Sequence, residues 1–335
     1  MPFPMIVIGA AVAVGAAGVG AGVKGAMDQS EANKTNERAQ NIVDNATSRI
    51  NRARKQTGHA LEKLGETKIE ILNHSIKDFI DNFSKLKNVE FEHSRGLNEL
   101  GKLRLDKKSF EELREMQSMA SSIAGGAVGG SVIGAATAFG AYGGAMMFGA
   151  ASTGTAIASL SGAAATNATL AFFGGGSLAA GGLGVAGGTA VLGGIVAAPA
   201  LAVLGVVMAA KGSANKDKAY SNLAQAKDFA AEMDVAATMC DGITKRARMF
   251  SSVLEKLDGL FTPMVNEMAA TIKRKGDDFK YFYPAEKQNI AACCSMAQAI
   301  KAILDTPILD EDGKLTDRSA RVIERAEQEL KELSA

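Results

Sequence analysis

The chain has no tryptophan, and aromatic residues make up only 5% of its 335 positions. That removes the stacking platforms on which single-stranded nucleic acids and sugars usually rest. A charge excess is missing too: 37 basic residues face 36 acidic ones, so there is no surplus to draw a phosphate backbone. Nucleic acid is therefore not an expected partner. The three cysteines, Cys240, Cys293 and Cys294, are too few and too clustered for a disulfide framework and lack the paired spacing of a zinc site, so a reducing compartment is expected. His59, His74 and His93 are the only histidines, and no two lie four apart, the spacing that sets two ligands on one helix face. They read as solvated. There is no phosphate loop ending in Gly-Lys-Ser/Thr. The two three-glycine matches, at residues 20–25 and 182–187, do not read as a dinucleotide fold, which needs a preceding strand, a following helix and an acidic residue about twenty positions on: the first follows a Gly/Ala run and the second sits deep in the uncharged block. No catalytic residue, cofactor or metal is predicted, and the chain reads as a non-enzyme.

The most informative absence is that of charge along whole segments. Between Glu115 and Lys211 there is no Asp, Glu, Lys or Arg, and a second uncharged run spans residues 2–23. These gaps divide the chain into an apolar Gly/Ala-rich segment (1–27), a charged helical arm (28–117), an uncharged Gly-rich block (118–210), and a charged arm with C-terminal helices (211–335). The opening run is about the length of a membrane span but makes a poor secretory signal, since Lys24 lies beyond it and no basic residue precedes it. A membrane anchor and a buried Gly/Ala helix both fit it.

The first arm is free of proline from Asp28 to Gln117 and rich in helix formers, which predicts helix throughout, with Gly96 and Gly101 as points of bend or break. Leu72, Ile76, Phe79, Phe83 and Leu86 alternate spacings of four and three, a coiled-coil seam that Ile69 extends backwards. The second arm carries a matching seam through Ile243, Ala247, Phe250, Leu254, Leu257, Phe261, Met264 and Met268. Pro263 is expected to kink that helix or mark its boundary. Further helices are expected over 285–304 and after a turn at 310–313, the last capped by Thr316 or Asp317 with Ile323, Ala326 and Leu330 on one side. The expected fold is all-α: an elongated antiparallel helical bundle in which the two seams meet, with a central Gly/Ala-rich hydrophobic hairpin of two or four membrane-competent segments. Within the block the pattern alone also fits a β-tongue.

About 95 uncharged residues suffice for four crossings at about 20 residues each, or for two longer ones. A first sub-segment, from Ile123 to Ala150, has Ile123, Val128, Val132, Ile133, Phe139 and Phe148 as its apolar residues. Gly126, Gly130 and Gly134, then Gly140 and Gly144, fall four apart, the small-residue rows that let helices approach closely in lipid. A second, from Thr189 to Ala210, carries Val191, Leu192, Ile195, Val196, Leu201, Val203, Leu204, Val206 and Val207 around Pro199. Together these nine favour insertion by about 3 to 5 kcal/mol before Gly, Ala and Pro subtract from it. Such marginal apolarity suits a block that a soluble bundle shelters and then releases. Arg104, Lys107, Lys108 and Arg114 precede the block and Lys211, Lys216 and Lys218 follow it, so both arms are expected on one side, with an even number of crossings. The turn is expected near residues 166–168 or 174–177.

Charged helices on both sides of an uncharged Gly-rich hairpin resemble the architecture of apolipoprotein L-like proteins and of helical pore-forming toxins of the cytolysin A and haemolysin BL type. The run 154–170, continuing to 174–177, is also similar to one that recurs in poorly characterised bacterial proteins. The toxin resemblance implies a soluble, bundle-sheltered form that exposes its hairpin, enters a lipid bilayer and forms a homo-oligomer, with or without co-acting subunits. A cytoplasmic location, membrane association or both would fit. The competing expectation is a permanently anchored coiled-coil scaffold or sensor that binds a protein partner.

Overall fold

The structure, a computed structural model, describes residues 19–89, 107–125, 139–141, 216–310 and 314–333. Its helices are α1 (Val19–Ile71), a five-residue π-helical turn (Leu72–Ile76), α2 (Lys77–Phe83), α3 (Lys107–Ala124), α4 (Lys216–Lys275), α5 (Pro284–Leu304) and α6 (Asp317–Leu333), with a 3₁₀ turn at Phe279–Tyr281. Apart from the isolated bridges Lys87–Asp278 and Leu309–Leu315, the described residues hold no strand. The fold is all-α. Because α1 starts at Val19, the glycines at 20–25 lie inside a helix, not in the turn between a strand and a helix that a dinucleotide site would need.

The chain forms two compact units. In the first, which holds the described residues 19–47 and 216–232, the seam is built mostly from small side chains, Ala32, Thr35, Ala39, Val43 and Ala46 against Ala219, Asn222 and Ala226, with the larger Phe229 also buried. The Tyr220 hydroxyl donates to Glu31 Oε1 (2.7 Å) and Asn222 Nδ2 to Asn36 Oδ1 (3.1 Å). Residue numbers rise together across the pair, so these two stretches run parallel.

The second unit holds the remaining described residues. Here the predicted seams do meet: Leu72, Ile76, Phe79, Phe250, Leu254, Leu257 and Phe261 are buried, with Phe83, Leu86 and Ile69 packed at the margin. Their direction is opposite to the antiparallel arrangement expected. Arg49 pairs with Asp234 (2.5 Å), Thr57 Oγ1 lies 2.9 Å from Thr244 Oγ1, Ser75 donates to Asp258, the Phe79 and Phe261 rings are 5.6 Å apart, and Lys87 pairs with Asp277 (2.9 Å). The long helices are parallel here too. A heptad seam faces its partner in either direction, so the pattern alone could not decide between them.

The antiparallel neighbours are instead α3 and α5. Past Phe83 the chain turns back, and α3 lies against the helix it has left: Phe110 meets Phe79 and Phe83, Arg114 donates to Ser84, and Ser121 donates to Asn73. Helix α5 descends along α4 through Lys275–Glu286 (2.7 Å) and Asn289 Nδ2 to the Met264 carbonyl (3.0 Å). After α5, Leu309 and Leu315 pair as an antiparallel bridge and Lys314 N donates to Asp310 Oδ1 (2.8 Å). Thr316 caps α6 by accepting from Ser319 N (3.1 Å), and Ile323, Ala326 and Leu330 are buried as expected.

One helix limit differs from the sequence reading. The first arm's helix stops at Phe83, and the next described helix begins at Lys107. The stop comes from tertiary ties: Asn88 takes a left-handed φ of 56°, its amide donates to Asp278 Oδ1, and Lys87 N donates to the Asp277 carbonyl. Gly96 and Gly101 lie outside the described residues. Pro263 marks no boundary, since α4 continues through it to Lys275. The carbonyl it deprives of a donor is that of Gly259, which is solvent-exposed, so water can replace the lost partner.

Gly58 and Gly259 sit in exposed helix interiors with nothing within 4 Å of an added Cβ. Gly58→Ala and Gly259→Ala are each expected to stabilise the chain by about 1 kcal/mol, read as a rise in the urea midpoint.

Candidate functional site

The one described piece of the uncharged block beyond Gly125 is a helical fragment, Phe139, Gly140 and Ala141. It lies on α1, continuing the return path of α3. A Cβ on Gly140 would overlap the Leu61 carbonyl oxygen and fall 3.1 Å from Gly65 N, so the two backbones touch where both carry glycine, and only glycine fits. On its other side the Ala141 carbonyl accepts from Ile308 N (2.8 Å) and Leu309 N (3.1 Å). The fragment is thus wedged between α1 and the segment after α5, with Phe139 and Ala141 buried.

Beneath it lies Lys68, fully buried at 0% exposure. Its Nζ donates to the carbonyls of Phe139 (3.1 Å), Gly140 (3.5 Å) and Leu304 (3.5 Å) and sits 5.3 Å from the Phe139 ring centre. Three acceptors match the three donors of an ammonium. Among the described residues no carboxylate forms an ion pair with it: Asp305, whose charge acts on it through space, is itself held by Lys301 (2.5 Å), which also binds Glu112 of α3 (2.7 Å). Burial therefore dominates and pushes Lys68 down to about 7, with Asp305 offsetting part of the shift. For Lys301 burial also lowers, but the Asp305 and Glu112 carboxylates outweigh it and the net shift is upward.

A second buried cation lies on the same face. Arg54, Leu61 and Lys68 fall seven apart on α1, which places them in one stripe. Arg54 is 8% exposed, and among the described residues its Nε and Nη2 have no hydrogen-bond partner. Burial lowers its pKa, with the Cys240 thiol acting the other way, and no carboxylate compensates it. Charges buried without a counter-charge weaken the packing that buries them.

Of the residues predicted to enter a membrane, Ile123 and Phe139 are described, and both are buried in the bundle, Ile123 on the last turn of α3. Val128, Val132, Ile133, Phe148, Val191, Leu192, Ile195, Val196, Leu201, Leu204 and Val207 lie outside the described residues. So do Gly126, Gly130, Gly134 and Gly144, the expected turns at 166–168 and 174–177, the glycine match at 182–187, and His93. Gly140 is a close-packing glycine, but its observed partner is the charged arm. His59 and His74 are exposed. All three cysteines are buried free thiols; burial pushes Cys293 up to about 12 and raises Cys294 and Cys240 as well, which makes them poor nucleophiles. Among the described residues no cluster of three potential metal ligands occurs, and no helix is long and apolar enough to cross a membrane.

Lys68 and Arg54 were not singled out in the sequence. The available signal for Lys68 was the row Leu64, Lys68, Leu72, Ile76 at steps of four. The π-helical turn at Leu72–Ile76 keeps that row facing inward beyond Lys68. Such turns recur at functional sites.

No protein family matches this chain, and none of the curated proteins or solved structures does either. The class defined by the structure is an all-α helical bundle that holds a piece of an uncharged segment over a buried lysine.

Proposed function

We propose that this protein shelters its uncharged block on a helical bundle and releases it into a lipid bilayer, where inserted copies associate and make the membrane permeable. The observation that carries the reading is the contact between Phe139–Gly140–Ala141 and α1 over Lys68. A contact meant to be permanent gains from apolar packing alone. This one buries an amine with no carboxylate beside it, and such a charge narrows the gap between docked and released states. The marginal apolarity of the block and the resemblance to helical pore-forming toxins point the same way. On this reading the membrane-entering segments lie within 118–210, the glycine rows pack copies together, and no reaction is catalysed.

Protein purified without detergent is expected to release dye from sealed vesicles. A permanently anchored scaffold would instead require detergent throughout and release none, and that result would replace the proposal.

A further inference from the structure

We propose that the turn carrying Tyr281 and Tyr283 is a docking surface for an anionic lipid bilayer. Along this turn the aromatic residues alternate in burial. Phe279 and Phe282 point into the core at 1% and 4% exposure, their ring centres 5.9 Å apart, while Tyr281 and Tyr283 stand out at 75% and 66%, the most exposed large apolar side chains among the described residues.

The turn is also held firmly. Asp278 accepts from Lys280 N (3.1 Å), Phe279 N donates to the Lys87 carbonyl (3.1 Å), and Tyr283 N donates to Glu286 Oε2 (2.7 Å) just before Pro284 opens α5. Lys275 Nζ sits 3.0 Å from the centre of the Tyr283 ring. Two exposed aromatics on a pre-ordered support lose little entropy when they are buried against something else. Tyrosine is a residue of choice at the boundary of lipid and water, where its ring meets acyl chains and its hydroxyl meets headgroups.

Charge identifies the surface that fits. Residues 84–89 and 271–288, which form this end of the unit, contain seven basic residues and three acidic ones, whereas the whole chain has a net charge of +1. The three acids are engaged at home: Asp277 with Lys87, Glu286 with Lys275, and Asp278 with the Asn88 amide and Lys280 N. Lys85, Lys273, Lys280 and Lys287 form no ion pair with a described residue. Each such cation near an anionic leaflet adds to the attraction. Two outstanding rings on a turn are a protrusion, which a headgroup layer admits anywhere; a protein partner would have to supply matching pockets.

Docking of this kind requires no entry of the uncharged block, so it goes beyond the proposed function. The test is flotation of the full-length protein with vesicles of phosphatidylcholine alone and of phosphatidylcholine mixed with phosphatidylglycerol, with dye release read in the same samples. Wild type should float with the anionic vesicles and lose binding as salt is added. Tyr281→Ser with Tyr283→Ser, and separately Lys273→Glu with Lys280→Glu, should each lower the partition coefficient at least about tenfold, with helical circular dichroism unchanged because all four side chains face solvent. Three results would overturn the docking surface: no binding of wild type to anionic vesicles, equal binding to both vesicle types, or binding that neither double variant weakens. Binding without dye release would support this surface while removing the permeabilisation reading.

Discussion

Gly140→Ala is expected to undock the uncharged segment, lowering the stability of the contact by about 3 kcal/mol. The single added carbon would meet the Leu61 carbonyl oxygen and crowd Gly65 N, both backbone atoms of a long helix. Overpacking against side chains typically costs about 1 to 3 kcal/mol because rotamers give way; a helix backbone gives way less, so the effect belongs at the upper end. A loss of that size shifts the docked-to-released ratio about a hundredfold. Hydrogen exchange at the amides of Ile308 and Leu309, which donate to the Ala141 carbonyl, should accelerate accordingly, and dye release should quicken if release is the step that gates insertion. The same substitution at Gly58, where nothing lies within 4 Å, should have the opposite sign. If Gly140→Ala proved as favourable as Gly58→Ala, residues 139–141 would not be seated on α1.

The parts of the fold that were legible in the sequence are those built from large side chains. Phe79, Phe250, Leu254, Leu257 and Phe261 announce a seam because few other arrangements bury them. The seam of the first unit went unread because Ala32, Ala39, Ala46, Ala219 and Ala226 carry little apolar signal, although alanine suits a close helix pair. Helix direction was not encoded in periodicity at all; it shows only in cross-helix pairs such as Ser75–Asp258 and Lys87–Asp277. The stop at Phe83 has no proline or glycine to announce it, because partners nearly two hundred residues away impose it. The contact that Gly140 makes with α1 was not legible, because a four-residue glycine spacing does not name a partner. Lys68 was hidden for a physical reason: a lysine in an apolar row ordinarily carries its ammonium out to water. Only the carbonyls of Phe139, Gly140 and Leu304, contributed by two distant segments, make burial of this one tolerable.

Lys68 should also make the stability of the docked state depend on pH in a window unusual for a lysine. With the chain released, its amine titrates near the ordinary value of about 10.4; in the docked state burial lowers this to about 7. Between those values the released form binds more protons, so docking strengthens as pH rises and weakens as it falls toward 7. Below about 7 both forms are protonated and this dependence ends. Each pH unit inside the window is worth about 1.4 kcal/mol, so raising the pH from 7 to 9 should stabilise the contact by about 2 kcal/mol, the slope being shallower near its lower end. Other amines, phenols and thiols titrate at alkaline pH as well, so the measurement is a difference: urea midpoints of wild type minus those of Lys68→Met, taken at each pH. Methionine keeps the length of the stem and removes the charge, leaving the carbonyls of Phe139, Gly140 and Leu304 without this donor, an effect independent of pH. The difference should therefore be flat below pH 7 and rise in favour of wild type above it. A difference that stayed flat from pH 7 to 9 would mean that Lys68 keeps an ordinary pKa, and the lysine could then no longer be what makes the docked segment ready to leave.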